Sequence, residues 1–314
     1  MRSYNIIINI CSIIFWDDID KGALGAKFTV INKCDYTVWP GILANAGSSA
    51  LDTTGFELPS GGSRSFQAPP NWSGRFWGRT GCNFDPTTQT QQGTCTTGDC
   101  GSNQVECNGG GAHPPVTLAE FTIGSGASQD YYDVSLVDGY NVAMIVDAVG
   151  GSGECGSTGC IVDLNQQCPN ELKFSNGVGC KSACEAFQKD EYCCSGTYAS
   201  PATCKPTIYS TIFKTACPKS YSYAYDDPTS TFTCTAPHYT ITFCPSTTSQ
   251  KSARVSPPET ETETGTGIGD MPMIVNSSSW FSNIFDGVSP KSYSCSISLI
   301  ATLTILIFLY LQFS

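Results

Sequence analysis

The run KFTVIN at residues 27–32 alternates Phe28 and Val30 against Thr29 and Ile31, the period of a strand with one face in a core. Near the other end, HYTITFC at 238–244 repeats the pattern, with Tyr239, Ile241 and Phe243 set against Thr240 and Thr242. These two segments bracket a folded body. Between them lie RSFQAP (64–69), RFWGR (75–79), LAEFTI (118–123), YYDVSLV (131–137), YNVAMIV (140–146) and STFTC (230–234). All are short, β-branched or aromatic, and divided by Gly, Pro, Asn and Asp turns. The spacing predicts a mainly β fold, a flattened sandwich or barrel. Residues 155–217 differ: cysteines crowd there and only KSACEAFQKDEY (181–192) reads as helix, which predicts a loop-rich lobe held by disulfides.

Cysteine usage sets the compartment. The chain has 314 residues and 18 cysteines, of which 16 fall between Cys34 and Cys244. That density belongs to secreted scaffolds, and the even number predicts eight bridges in an oxidising environment. Cys11 and Cys295 lie in apolar end segments. The adjacent Cys193 and Cys194 are expected to bond elsewhere, because a vicinal bridge strains the backbone. The two histidines, His113 and His238, are far apart, and no zinc-type spacing occurs, so no metal is expected. The glycines of GTCTTGDCG (93–101) lack the lysine and the strand-to-helix setting of a phosphate loop, and no cofactor is expected. A formal net charge of −11 argues against nucleic acid as a partner.

The ends read as processing and tethering segments. Arg2 precedes an apolar run, Ile6 to Trp16, followed by small residues. This predicts a signal peptide over 1–25, with Ala26 as the mature start. The body is assigned to 26–245. Residues 246–295 form a linker and spacer, rich at first in Ser, Thr, Pro and Glu, which cannot bury enough apolar surface to fold. The tail, 296–314, is apolar from Ile297 to Phe313 and has no basic residue after it. It reads as a glycosylphosphatidylinositol signal, with a retained membrane helix as the alternative. Asn71 (NWS) and Asn276 (NSS) are glycosylation sequons.

Seven stretches together carry a specific likeness: VINKCDYTVWPG (30–41), GRFWGRTGCNF (74–84), QQGTCTTGDC (91–100), LAEF (118–121), DYYDVSLVDGYN (130–141), EYCC (191–194) and CPKSYSYAYDDPTSTFTC (217–234). With them, residues 27–245 resemble the thaumatin-like proteins, the plant pathogenesis-related family that includes osmotin. The resemblance implies a sandwich of about eleven strands with two disulfide-rich lobes. It also implies the pairing: Cys34 with Cys244, Cys82 with Cys95, Cys100 with Cys107, Cys155 with Cys234, Cys160 with Cys217, Cys168 with Cys180, Cys184 with Cys193, and Cys194 with Cys204. Two departures from the family pattern stand out, the segment AMIVDAVG (143–150) and Gln91 in place of a glycine.

The resemblance further implies an acidic cleft formed by Arg75, Glu120, Asp133, Asp138 and Asp227. Converging carboxylates repel one another and raise at least one pKa, while an arginine holds another ionised. Such a set can bind sugar hydroxyls, or hydrolyse a glycosidic bond through an acid and a base. The expected ligand is β-1,3-glucan or another cell-wall polysaccharide, bound by a secreted, surface-tethered defence protein. Weak endo-β-1,3-glucanase action, with Glu120 as acid and Asp133 or Asp138 as base, is one alternative. A cell-surface protein-interaction module is the other. Phe121, Tyr132 and Tyr140 are candidate stacking residues beside the acids. His113, before Pro114 and Pro115, reads as an exposed loop residue. Whether Asp226 or Asp227 faces the cleft is not fixed by spacing, and the family pattern favours Asp227.

Overall fold

The computed structural model describes residues 25–84, 93–126, 128–236 and 238–246, all in one compact unit. The segments read as signal peptide, linker and apolar tail lie outside the described residues except for residues 25 and 246, as do Gln91 and Asn276. Among the described residues, no helix is long and apolar enough to cross a membrane.

The alternation in KFTVIN becomes strand β1 (Ala26–Asn32), which buries Phe28 and Val30 and exposes Lys27. The remaining strands are β2 (Trp39–Ala44), β3 (Ser63–Ala68), β4 (Ser73–Arg79), β5 (Leu118–Thr122), β6 (Asp130–Ser135), β7 (Met144–Val149), β8 (Thr158–Cys160), β9 (Lys173–Phe174), β10 (Gly179–Cys180), β11 (Phe232–Cys234) and β12 (His238–Phe243). They form two five-stranded sheets, β3-β1-β12-β7-β8 and β11-β6-β5-β4-β2, and a small β9–β10 ladder. The segments that bracket the body pair directly. β1 runs parallel to β12, with Phe28 opposite Tyr239 and Val30 opposite Ile241. The Cys34–Cys244 bridge lies just beyond this pairing and closes a separation of 210 residues. Twelve strands are found where about eleven were expected, the β9–β10 ladder included.

Side chains of both sheets share the core. The Phe28 ring lies 4.7 Å from Phe121, 5.0 Å from Phe76, 5.3 Å from Trp72 and 5.9 Å from Tyr239. Such aromatic pairs contribute about 0.5–1.5 kcal/mol each beyond their buried area. Most buried polar groups in folded proteins are bonded, and Asn32 is an instance. Asn32 donates to the carbonyls of Tyr36 and Leu58 and accepts from the Cys34 amide.

All eight bridges occur in the pairing that the resemblance implied. Cys193 and Cys194 bond to Cys184 and Cys204, not to each other. The first lobe, within 93–118, covers one end of the outer face of the second sheet. It is held by Arg79, which is fully buried and donates to the carbonyls of Trp39, Pro40, Gln104 and Val105. The second lobe, within 155–217, packs Leu164, Leu172 and Phe213 against Leu136 and Tyr140 of the segment that follows β6.

Helical content departs from the sequence expectation. The stretch 181–192 is not one helix: Ala183–Phe187 ends where Gln188 takes φ +52°, and a second short helix, Asp190–Cys193, follows. An unexpected helix spans Ile208–Ala216. Thr207 and Ser210 cap it reciprocally, each side chain accepting from the other's backbone N–H.

Candidate functional site: an acidic cleft on the outer face of the second sheet

The strand period places the first three site residues. Arg75, Glu120 and Asp133 sit directly opposite one another on β4, β5 and β6. Their neighbours Phe76, Ala119, Phe121, Tyr132 and Val134 point into the core, so the three polar side chains share the outer face. On that face Trp77 and Leu118 are covered by Cys100, Cys107 and Val116 of the first lobe. The Arg75 row stays open. It lines a cleft of about 370 Å³ together with Asp138, Asp227, Ser135 and Tyr221.

Two loops complete the set. Asp138 lies in the turn after β6, which is closed by the Gly139 amide donating to the Leu136 carbonyl. Gly139 has φ +89°, and a Cβ there would stand 2.6 Å from the Cys180 carbonyl oxygen, so this turn requires glycine. The Asp138 carbonyl accepts from the Val116 amide, which fixes the turn to the first lobe. Asp227 opens the short helix Asp227–Ser230 and accepts from the Tyr221 hydroxyl at 3.0 Å. Its neighbour Asp226 is engaged elsewhere. It pairs with Lys214 at 2.9 Å and accepts from the Ser222 amide and hydroxyl. The unexpected helix Ile208–Ala216 therefore has a role: Lys214 holds the loop that presents Asp227.

Electrostatics separates the acids. Arg75 Nη1 lies 3.5 Å from Glu120 Oε1, with about a third of each side chain exposed. Burial raises the pKa of Glu120, Arg75 opposes this, and Asp138 adds to the rise. Burial also raises Asp138, again against Arg75. Asp133 is pushed furthest, up to about 8, by burial and by Glu120, with Arg75 opposing and Asp227 adding. Two polar atoms here have no partner within the protein, Arg75 Nε and Asp133 Oδ1. Unpaired buried polar atoms are rare in folded proteins and costly, and both of these belong to residues that line the cleft.

Sequence reading missed one further acid. Glu185, in the second lobe, is pushed up to about 7 by burial, with Lys181 opposing and Asp138 adding. Its Oε2 is also unpaired, and Lys181 lies 3.9 Å from its Oε1. The acid was visible in SACEAF, but nothing in the spacing linked it to Asp138.

The aromatic candidates are corrected. Phe121, Tyr132 and Tyr140 are 3%, 0% and 1% exposed and cannot stack on a glycan. In an extended strand Phe121 and Tyr132 must point away from the adjacent Glu120 and Asp133. The Tyr140 hydroxyl donates to the Val162 carbonyl, in the core of the second lobe. His113 is exposed. Asn71 is exposed in the turn between β3 and β4, at φ +61°. The departing segment AMIVDAVG forms β7, in the other sheet. Among the described residues, no three His, Cys, Asp or Glu side chains are grouped to hold a metal ion.

Fold and site together define a disulfide-rich β-sandwich with an arginine and four carboxyl side chains in one cleft. The Thaumatin family model matches residues 32–245, and the chain belongs to that family. It is 69% identical over 231 residues to thaumatin-like protein 1 of Arabidopsis thaliana, covering 72% of this chain and 88% of the relative. It is 57% identical over 225 residues to pathogenesis-related protein 5 of the same plant, covering 71% and 91%. A PR5-like receptor kinase, also from Arabidopsis thaliana, is 47% identical over 241 residues, which is 74% of this chain and 36% of the kinase.

Proposed function

We propose that the protein is a secreted, surface-tethered defence protein of the cell wall that binds β-1,3-glucan through the acidic cleft. One observation carries this reading: Arg75, Glu120 and Asp133 share a single register across three strands and, with Asp138 and Asp227, line one open cleft. A neutral glucan offers hydroxyl groups that donate to carboxylates and accept from a guanidinium or a protonated acid. Asp133, pushed up to about 8 by burial and by Glu120, favours such a donor, and the Arg75 guanidinium lines the same cleft. Eight disulfides and the apolar leader support secretion. The composition of 246–314 supports a tether.

A second reading, weak endo-β-1,3-glucanase action, draws on the same electrostatics. A glycosidase needs one carboxyl group protonated and another ionised beside it. With Asp133 raised most and Arg75 opposing the smaller rise that burial gives Glu120, the donor role falls to Asp133 and the base role to Glu120, the reverse of the sequence expectation. The PR5-like receptor kinase relative supports a third reading, in which a tethered domain of this kind recognises a protein at the cell surface.

The test is a pull-down of the purified full chain on insoluble β-1,3-glucan, beside reducing-sugar release from laminarin, repeated with Glu120→Gln. Binding without release, weakened by the substitution, is the expected outcome. Release abolished by the substitution would establish the glucanase, and neither binding nor release would direct the search to protein partners.

A further inference from the structure

A larger groove lies apart from the acidic cleft and shares no lining residue with it. Its volume is about 680 Å³, within the range of ligand sites. One wall is the β2 edge of the second sheet, with Trp39 half-buried and Tyr36 just before it. The other wall belongs to the second lobe, with Asp163, Asn165 and Gln166 around the short helix Leu164–Gln167, and Val178 between β9 and β10. Tyr36 and Val178 are 44% and 42% exposed, and both are among the exposed large hydrophobic side chains of the fold.

The polar wall is preorganised. Asp163 accepts from the Asn165 amide and from Gln166 Nε2, at 3.1 and 2.8 Å. Asn165 Nδ2 donates to the carbonyls of Asn141 and Val178, which fixes the side-chain amide. Its Oδ1 has no partner within the protein, though shielded from bulk water. No Lys or Arg lines the groove, and Asp163 makes it unfavourable for an anion. Aromatic side chains lining the same groove as short amide and carboxylate side chains match a ligand with an apolar ring face and a rim of neutral hydroxyls.

We infer that this groove is a second saccharide-binding site, which takes neutral β-linked glucan chains by stacking on Tyr36 and Trp39 and by hydrogen bonds to Asp163 and Gln166. It does not depend on the acidic cleft. A protein with both sites grips a polysaccharide at two points, and the second raises retention on an insoluble wall through effective concentration.

The test titrates laminarihexaose calorimetrically into the full chain carrying Glu120→Gln and Asp133→Asn, so that the cleft is disabled. Tyr36→Ala, Gln166→Ala and Val178→Asp are then added singly, all three at exposed positions. Residual binding is expected in the cleft-disabled protein, weakened at least fivefold by Tyr36→Ala and by Val178→Asp and less by Gln166→Ala. Absence of residual binding, or residual binding indifferent to all three substitutions, would overturn the assignment. Cleft binding in the otherwise unaltered chain is read separately, so failure of one site is distinguishable from failure of the other.

Discussion

Asp130 and Asp133 stand three residues apart on β6 and face opposite ways. Asp130 points into the sandwich and is 4% exposed, and its carboxylate accepts from the Gly124 amide at 2.8 Å, the Ala236 amide at 3.3 Å and the Tyr239 hydroxyl at 2.6 Å. Asp133 points outward into the cleft, where Oδ1 has no partner and Glu120 and Asp227 repel its charge. The same residue type on the same strand thus does two kinds of work. The inner face uses a carboxylate to satisfy backbone and phenol donors and so specify the fold. The outer face holds a carboxyl group, that of Asp133, with one oxygen unpaired within the protein, at a cost to stability.

The sharpest way to break this contrast is on the inner face. Asp130→Ala strands two amides and the Tyr239 hydroxyl in the core and should cost about 3–5 kcal/mol in denaturant unfolding. A loss below about 1 kcal/mol would show that water replaces the carboxylate.

Asp133→Asn should act in the opposite direction, increasingly as pH rises above about 4. A carboxyl group raised in the folded state adds stability below its unfolded value and loses it as pH rises through the folded one. With the folded value at about 8, the penalty grows from about pH 4 and is complete above pH 8. The asparagine variant should therefore match the parent near pH 3 and exceed it by about 2 kcal/mol at pH 9, below the ceiling the full shift sets. Thermal unfolding at the two pH values checks this. A pH-independent difference would remove the electrostatic account.

A neighbouring pair of acids repeats the comparison at smaller scale. Asp226→Asn loses the Lys214 partner at 2.9 Å and should cost about 1–2 kcal/mol, with a smaller effect on glucan binding. Asp227→Asn should change stability by less than about 0.5 kcal/mol yet weaken glucan binding severalfold. Equal effects of the two on both readouts would contradict the assignment of Asp227, not Asp226, to the cleft.

Strand alternation made the body of the fold legible, since KFTVIN and HYTITFC show a buried and an open face directly and became the parallel pair β1 and β12. The same period, applied strictly, also excludes Phe121 and Tyr132 from a cleft that contains Glu120 and Asp133, because adjacent residues of a strand face opposite sides. The disulfide pairing came from family likeness, as spacing alone leaves many connectivities open. The helix Ile208–Ala216 was harder to see: its cap pairs Thr207 with Ser210 in place of a glutamate or glutamine at that position, and it follows a cystine-rich stretch. Glu185 and the Tyr36–Trp39 groove depend on how the second lobe folds back toward the sheets, which local pattern does not encode. The choice between Asp226 and Asp227 likewise turned on Lys214, twelve residues away in sequence.

The most direct test follows the Asp133 carboxyl carbon by NMR from pH 3 to pH 10, with and without laminarihexaose. The account predicts a midpoint near 8 in the free protein and a clear change in that midpoint when the saccharide binds. A midpoint near the ordinary aspartate value of about 4, unmoved by saccharide, would contradict it.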